Sequence, residues 1–170
     1  KEGEEAEEGR CSRDKKTQDG IADILKAVEK ANRPIKKIEN RALKKLTETV
    51  AQQGVVAVTR IPEKLELRSL EGNWLYLDQI RDPGNLGTFL RTADWSGVAN
   101  LALAPGTADP YNSKVVRSAM GAHFHVRICT EATLPPFRLA GYTVLAADSL
   151  GKPMKNTTLL SGGKWCLVMG

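Results

Sequence analysis

The chain has 170 residues, room for one full domain plus a smaller piece, and its 41% hydrophobic content supports a packed core. A net charge of +5 and a pI near 9.2 fit a nucleic-acid partner or a solvated basic surface. Cys11, Cys129 and Cys166 are too far apart for a disulfide framework or a zinc site, and no run reaches the ~18 apolar residues of a transmembrane helix.

The elements follow in chain order. Residues 1–20 are charged, include Glu2, Glu4, Glu5, Glu7 and Glu8, and are expected to be disordered. Ile21, Ile24, Leu25 and Val28 recur at helical spacing, so Ile21–Ala31 reads as a helix ended by Pro34. Ile35–Ile38 reads as a short strand, and Arg41–Thr49 as a helix with Leu43 and Leu46 inward and Lys44 and Lys45 outward. From Asp23 to Glu48 there are eight Lys or Arg against four acids. Residues 21–53 thus look like the end of a small domain. Gln52–Gly54 is a turn before a strand at Val55–Val58, and residues 54–73 form a mixed linker.

After residue 73 strands and helices alternate: strand Trp74–Ile80, helix Asn85–Trp95, strand Leu101–Ala104, helix Ser113–Ala122 and strand His125–Cys129. Strands at Tyr142–Ala147 and Trp165–Met169 complete the series. Leu86, Phe89, Leu90 and Ala93 share one helix face, while Val115, Val116 and Ala119 serve the next helix. The alternation predicts an α/β fold with a mainly parallel sheet. Ligands bind such sheets at the carboxyl ends of the strands. The informative loops are therefore Arg81–Asn85, Pro105–Asn112 and Asp148–Lys152. Cys129 and Cys166, inside apolar runs, read as buried small hydrophobes suited to a reducing compartment. No signal peptide is visible, and a chain beginning at Lys1 leaves targeting open.

Pro83 and Gly84 supply a tight turn after the first strand, and Asn85 is a natural helix cap. Gly87 in the first helical turn costs roughly 1 kcal/mol against Ala, which implies close approach of a ligand or another backbone. Arg91 lies mid-helix, ordinarily a surface position. Asn112 and Ser113 are candidate caps for the second helix, with Lys114 and Arg117 as phosphate contacts. His123 and His125 read as surface or packing residues. Asp148 is either a site residue or a simple turn residue.

Asp82-Pro83-Gly84-Asn85-Leu86-Gly87, with Arg91-Thr92-Ala93 and Gly97, resembles the first motif of the SpoU (TrmH-like) branch of the SPOUT methyltransferases. Ala108–Asn112, Lys114–Arg117 and Met120–Phe124 resemble the segment between that family's first and second motifs. Leu167-Val168-Met169-Gly170 resembles the opening of the second. The match runs from about Leu46 to Gly170. Asp23–Thr49 and the residues to Val58 resemble the junction between the family's ribosomal-protein-like RNA-binding domain and its catalytic domain, the latter covering residues 74–170.

The resemblance implies an α/β-knot fold and transfer of a methyl group from S-adenosylmethionine to a ribose 2′-hydroxyl of RNA. Ribosomal RNA is favoured. The alternatives are transfer RNA as substrate and a non-catalytic RNA-binding or ribosome-assembly protein that keeps the fold. It implies Asn85 and Arg91 in the catalytic set, with Arg91, Lys114 and Arg117 toward RNA. The cofactor would meet Gly106, Ala147, Met169 and Gly170. It further implies a homodimer, with neither metal nor membrane, in the cytoplasm or in a mitochondrion or plastid. An arginine stays protonated, so Arg91 is expected to bind phosphate and polarise the hydroxyl rather than act as a base. Motifs that normally follow Gly170 lie beyond the last residue, so the knot is expected to be incomplete. The final strand, ending at Gly170, reads as an unpaired sheet edge.

Overall fold

The computed structural model describes residues 18–46, 54–67, 70–151 and 163–170. The expectations for residues 1–17, for Cys11, for Thr47–Thr49, for Gln52 and Gln53 and for Lys152 lie outside the described residues. The chain forms two compact units, Lys1–Arg60 and Ile61–Gly170.

In the first unit, residues 18–30 are helical (α1) and Asn40–Leu46 form α2. Residues 18–20 thus belong to a helix rather than to a disordered tail. Helix α1 ends before Pro34. Asn32 takes a left-handed φ of 51° and Arg33 N–H donates to the Val28 carbonyl, a closure that an Asn permits. Leu43 is buried, but Leu46 is 60% exposed and does not face inward. Ile35–Ile38 and Val55–Val58 are not strands. Among the described residues neither pairs with a strand, and Val58 is 89% exposed. A short apolar run becomes a strand only where a neighbour supplies its hydrogen bonds.

The second unit is built on five parallel strands in the order β3-β2-β1-β5-β4. They are β1 Trp74–Leu77, β2 Asn100–Leu103, β3 Arg127–Cys129, β4 Thr143–Ala146 and β5 Trp165–Met169. Helices α3 Pro83–Trp95, α4 Ser113–Ser118 and α5 Pro135–Leu139 connect them, with a 3-10 turn at Ala122–Phe124. The short helix α5, five residues long, is too short to carry a helical sequence period. Every residue of β1 and β2 is buried. Continuous apolar runs of this kind belong to parallel strands covered on both faces.

Two buried clusters provide that cover. On the α3–α4 face Leu75, Leu77, Leu86, Leu90, Leu101 and Leu103 pack with Val115 and Ile128. On the α5 face Trp74, Tyr76 and Tyr142 surround Phe137 edge-on, with ring centroids 5.4–6.3 Å from it. Leu65, Leu67 and Leu70 pack against this second cluster. Val116, expected to share the inward face of α4, is 45% exposed: it lies about 100° round the helix from Val115, and the core takes Val115 and Ala119.

Strand β5 overturns one expectation. It is no edge: Leu167 lies level with Leu75 of β1 and Leu145 of β4, so the strand is hydrogen-bonded on both sides. Its apolar run is satisfied inside the sheet.

Candidate functional site at the carboxyl edge of the sheet

All five strands are parallel, so their carboxyl ends open onto one edge. The winding direction reverses beside β1, where β2 lies on one side and β5 on the other. Three loops meet at this edge. Ala108 N–H donates to the Ile80 carbonyl at 2.9 Å, and Ala104 N–H to the Leu77 carbonyl at 2.9 Å. Thr107 Oγ1 donates to the same Leu77 oxygen at 3.3 Å. These bonds fasten the loop after β2 to the loop after β1. From β5, the Met169 carbonyl accepts from Asp78 N–H at 2.8 Å, and the Val168 carbonyl accepts from Ala147 N–H at 2.9 Å.

The Asp-Pro-Gly turn launches α3, but Asn85 is not its cap. Asp82 is: its Oδ1 accepts from Asn85 N–H at 2.8 Å. Pro83 takes the first helical position, where its missing N–H costs nothing, so the helix starts two residues earlier than expected. The Asn85 amide is thereby released from capping. It is exposed and lines a groove of about 630 Å³ beside α3, with Phe89, Leu167 and Met169 among the apolar walls. Asp82 Oδ2 also lies 3.8 Å from Lys114 Nζ, an exposed pair that links the starts of α3 and α4.

Gly87 faces α4. A Cβ there would sit 1.8 Å from Ser118 Oγ and 2.9 Å from the Val115 carbonyl. Of the two readings of this glycine, approach of another backbone is the one the structure gives. Gly106 has a left-handed φ of 85° in the turn after β2, which a glycine adopts without strain. Gly170 lies against β1, where an added Cβ would be 3.0 Å from the Asp78 carbonyl. Asn112 caps α4 by accepting from Lys114 N–H at 2.9 Å, as its type predicts. Asp148 accepts from Leu150 N–H at 2.7 Å and behaves as a turn residue.

Asn85, Gly106, Ala147, Met169 and Gly170 therefore gather at or near one edge, from four chain segments. Arg91 does not join them. Six residues beyond Asn85, it lies about 120° round the helix and about 9 Å along it, exposed on the flank toward α4. Lys114 and Arg117 are exposed on α4, with Lys114 near the start of α3 through its contact with Asp82.

Two details lay beyond the sequence reading. His123 is partly buried. Its Nε2 lies 2.7 Å from the Pro110 carbonyl, which can only accept, so Nε2 carries the hydrogen. Nδ1 is buried without a partner among the described residues. The ring packs 5.8 Å from Tyr111, whose hydroxyl pKa is pushed up by burial and by nearby Asp109. His125 Nδ1 meets Asp94 at 3.1 Å at the far end of α3. Neither histidine reaches the Asp82–Asn85 turn. Among the described residues no group of three or more His, Cys, Asp or Glu could hold a metal ion, and no helix is long and apolar enough to cross a membrane.

The model of the SpoU rRNA Methylase family matches residues 72–170. The chain belongs to this family. A second family model, RNA 2′-O ribose methyltransferase substrate binding, matches residues 7–65 of this SpoU protein. It is 44% identical over 87 residues to a 23S rRNA (guanosine-2′-O)-methyltransferase, RlmP, of Bacillus subtilis, covering 51% of this chain and 34% of the relative. It is 32% identical over 125 residues to the mitochondrial rRNA methyltransferase 3 of Homo sapiens, covering 68% and 30%. A structure described as a putative RNA methyltransferase of the TrmH family from Porphyromonas gingivalis superposes with a TM-score of 0.65 at 33% identity, over 81% of this chain and 55% of that one. An AdoMet-bound rRNA methyltransferase from Sinorhizobium meliloti superposes at 0.56 with 31% identity, covering 64% and 44%. The chain spans about a third of the length of the curated relatives it matches.

Proposed function

We propose that the protein takes part in methyl transfer from S-adenosylmethionine to a ribose 2′-hydroxyl of ribosomal RNA. The carrying observation is the released Asn85 amide at the edge where the loops after β1 and β2 are fastened together. Family membership and the rRNA methyltransferases among the relatives support the same reaction.

The residues at the edge fit a cofactor held by main-chain groups. Gly106 and Ala147 carry little or no side chain, and a Cβ on Gly106 would meet nothing nearer than Gln79 Cγ at 3.7 Å. Gly106, Ala147, Met169 and Gly170 would hold it. The Met169 carbonyl and Ala147 N–H are already engaged in the sheet, which makes the edge rigid. The bound cofactor supplies an electrophilic sulfonium methyl.

The protein's own task is then to place a weak nucleophile in line. Asn85, with both an amide donor and a carbonyl acceptor, orients the ribose. Arg91 has no side-chain partner among the described residues, and its guanidinium fork matches a phosphate, so it holds an RNA phosphate. Lys114 and Arg117 extend the same cationic track. The first unit, matched by the substrate-binding model, adds RNA contacts. A homodimer belongs to this reading, supported by the apolar groove along α3 and β5. So does a reducing compartment, the cytoplasm or an organelle such as the one named for the vertebrate relatives, because Cys129 and Cys166 are free and buried.

The test is incorporation of labelled methyl from S-adenosylmethionine into ribosomal RNA. Arg91→Ala and Asn85→Ala should each lower the rate by at least tenfold, the scale of losing one positioning or charge-stabilising contact. An unchanged rate in Arg91→Ala would remove that residue from the reaction.

A further inference from the structure

Gly87, Arg91 and Trp95 fall at i, i+4 and i+8 on one stripe of α3. Gly87 packs on Ser118, whose Oγ is 3.4 Å from the Pro83 carbonyl, and Asp94 at the other end meets His125 at 3.1 Å. The segment 118–125 therefore runs beside this stripe from the start of α3 to its end. Three large side chains on this seam are left in solvent: Trp95 is 88% exposed, Phe124 76% and Met120 75%. Large apolar side chains grouped on one surface mark an interaction site. Met120 also takes a left-handed φ of 52°, unusual for a side chain of its size, and Gly121 follows at 95°. Such strain collects at functional positions.

The same seam carries Arg91, with Lys114 and Arg117 toward its start. Flat aromatic faces among cations match one ligand chemistry well, a single strand with unstacked bases and a charged backbone. We propose that Trp95 and Phe124 are base-stacking platforms for a single-stranded stretch of the RNA substrate, with Arg91, Lys114 and Arg117 on its phosphates. This rests on the RNA reading of the preceding subsection and adds the recognition of unpaired bases. Met120 lies between the two rings in sequence and supplies a soft contact surface.

The test is a fluorescence titration of the 170-residue chain with a single-stranded oligoribonucleotide, beside heparin as a polyanion without bases. Of the other two tryptophans, Trp74 is buried and Trp165 is half-buried in the groove between α3 and β5, so the Trp95-dependent signal is the difference between wild type and Trp95→Leu. The RNA should quench emission, and Trp95→Leu should abolish most of that quenching and weaken RNA binding about tenfold, the scale of one lost base stack. Trp95→Phe should restore much of the affinity, and heparin binding should not change. Phe124→Leu should act in the same direction. Equal RNA affinity for wild type and Trp95→Leu would overturn the proposal. So would sedimentation showing a self-associated chain in which Trp95 is shielded and whose association Trp95→Leu abolishes, because the face would then join two copies. The enzymatic reading fails separately: quenching that depends on Trp95 without any methyl transfer would leave the stacking surface standing and remove the reaction.

Discussion

Single residues decide how α3 is seated. Gly87 is the contact point of α3 and α4, and the clash that a methyl group would make there is with Ser118 and with a carbonyl of the α4 backbone. Gly87→Ala should therefore destabilise the protein by about 1–3 kcal/mol despite the better helix propensity of alanine, since overpacking outweighs the ~1 kcal/mol propensity gain. Chemical denaturation measures it. Adding Ser118→Ala should recover only part of the loss, because the Val115 carbonyl remains in the way. Asp82→Ala removes the cap and should cost about 1 kcal/mol in the same assay, whereas Asp82→Asn keeps an accepting oxygen and should cost less. At Cys166, burial pushes the thiol up to about 12 from an ordinary 9.0. The folded protein therefore holds this proton where the unfolded chain releases it. Its contribution to stability is complete below pH 9 and is lost as pH rises from 9 toward 12. Alkylation by iodoacetamide at pH 8 should leave Cys166 unmodified until denaturant is added. Modification of the native protein at the rate of a free thiol would contradict this.

At the scale of elements, the sequence was most readable where a run is long and its surroundings are intrinsic to it. The spacing of Leu86, Leu90 and Ala93 places α3 and its buried face correctly. Trp165–Met169 appears as a strand with the bounds its apolar run implies. The parallel, buried character of β1, and of β2 from Leu101 onward, follows from their apolar runs. What failed depended on partners distant in sequence. Val55–Val58 is as apolar as a strand but pairs with no strand among the described residues, and β5 reads as an edge because nothing local reveals that β4 lands on its far side. The site was legible in its residue types more than in its arrangement. Asparagine caps well, so the sequence alone points to Asn85, yet Pro83 moves the helix start and gives the cap to Asp82. Arg91 shares a motif with Asn85 but not a helix face, since six residues do not complete a whole number of turns.

One buried polar residue ties several elements together. Asn100, 4% exposed at the start of β2, donates to the Glu71 and Asn73 carbonyls at 3.0 Å and accepts from Arg127 Nε of β3 at 2.8 Å. Asn100→Leu would strand two carbonyls and a guanidinium N–H near the amino edge of the sheet. A loss of about 2–4 kcal/mol is expected from these groups together, at 1–3 kcal/mol for each one left buried and unpaired and less where water reaches it. Thermal melting would report it, and a loss under 1 kcal/mol would show that solvent takes over the bonds. This edge lies opposite the proposed site, so the reaction rate measured below the melting range should be little affected.

For the whole molecule, the two units differ in kind. Both hydrophobic clusters draw every residue from the second unit, while among the described residues of the first unit Leu43 is the one buried hydrophobic side chain. Cooperative stability should therefore reside in Ile61–Gly170. A chain starting at Ile61 should melt within a few degrees of the full chain, and residues 1–60 alone should show no cooperative transition by circular dichroism. The first unit instead carries charge: eight Lys or Arg against four acids between Asp23 and Glu48. If this excess of four cations meets RNA phosphates, its removal should leave stability intact and change the salt dependence of binding. About four lost contacts to single-stranded RNA, each contributing ~0.7, would make the slope of log K against log salt shallower by roughly 3. The measurement is RNA affinity at several salt concentrations for both chains. A shallower slope with an unchanged melting temperature assigns RNA capture to the first unit and the stable scaffold to the second. An unchanged slope would place the phosphate contacts on the second unit, where Arg91, Lys114 and Arg117 would have to supply them.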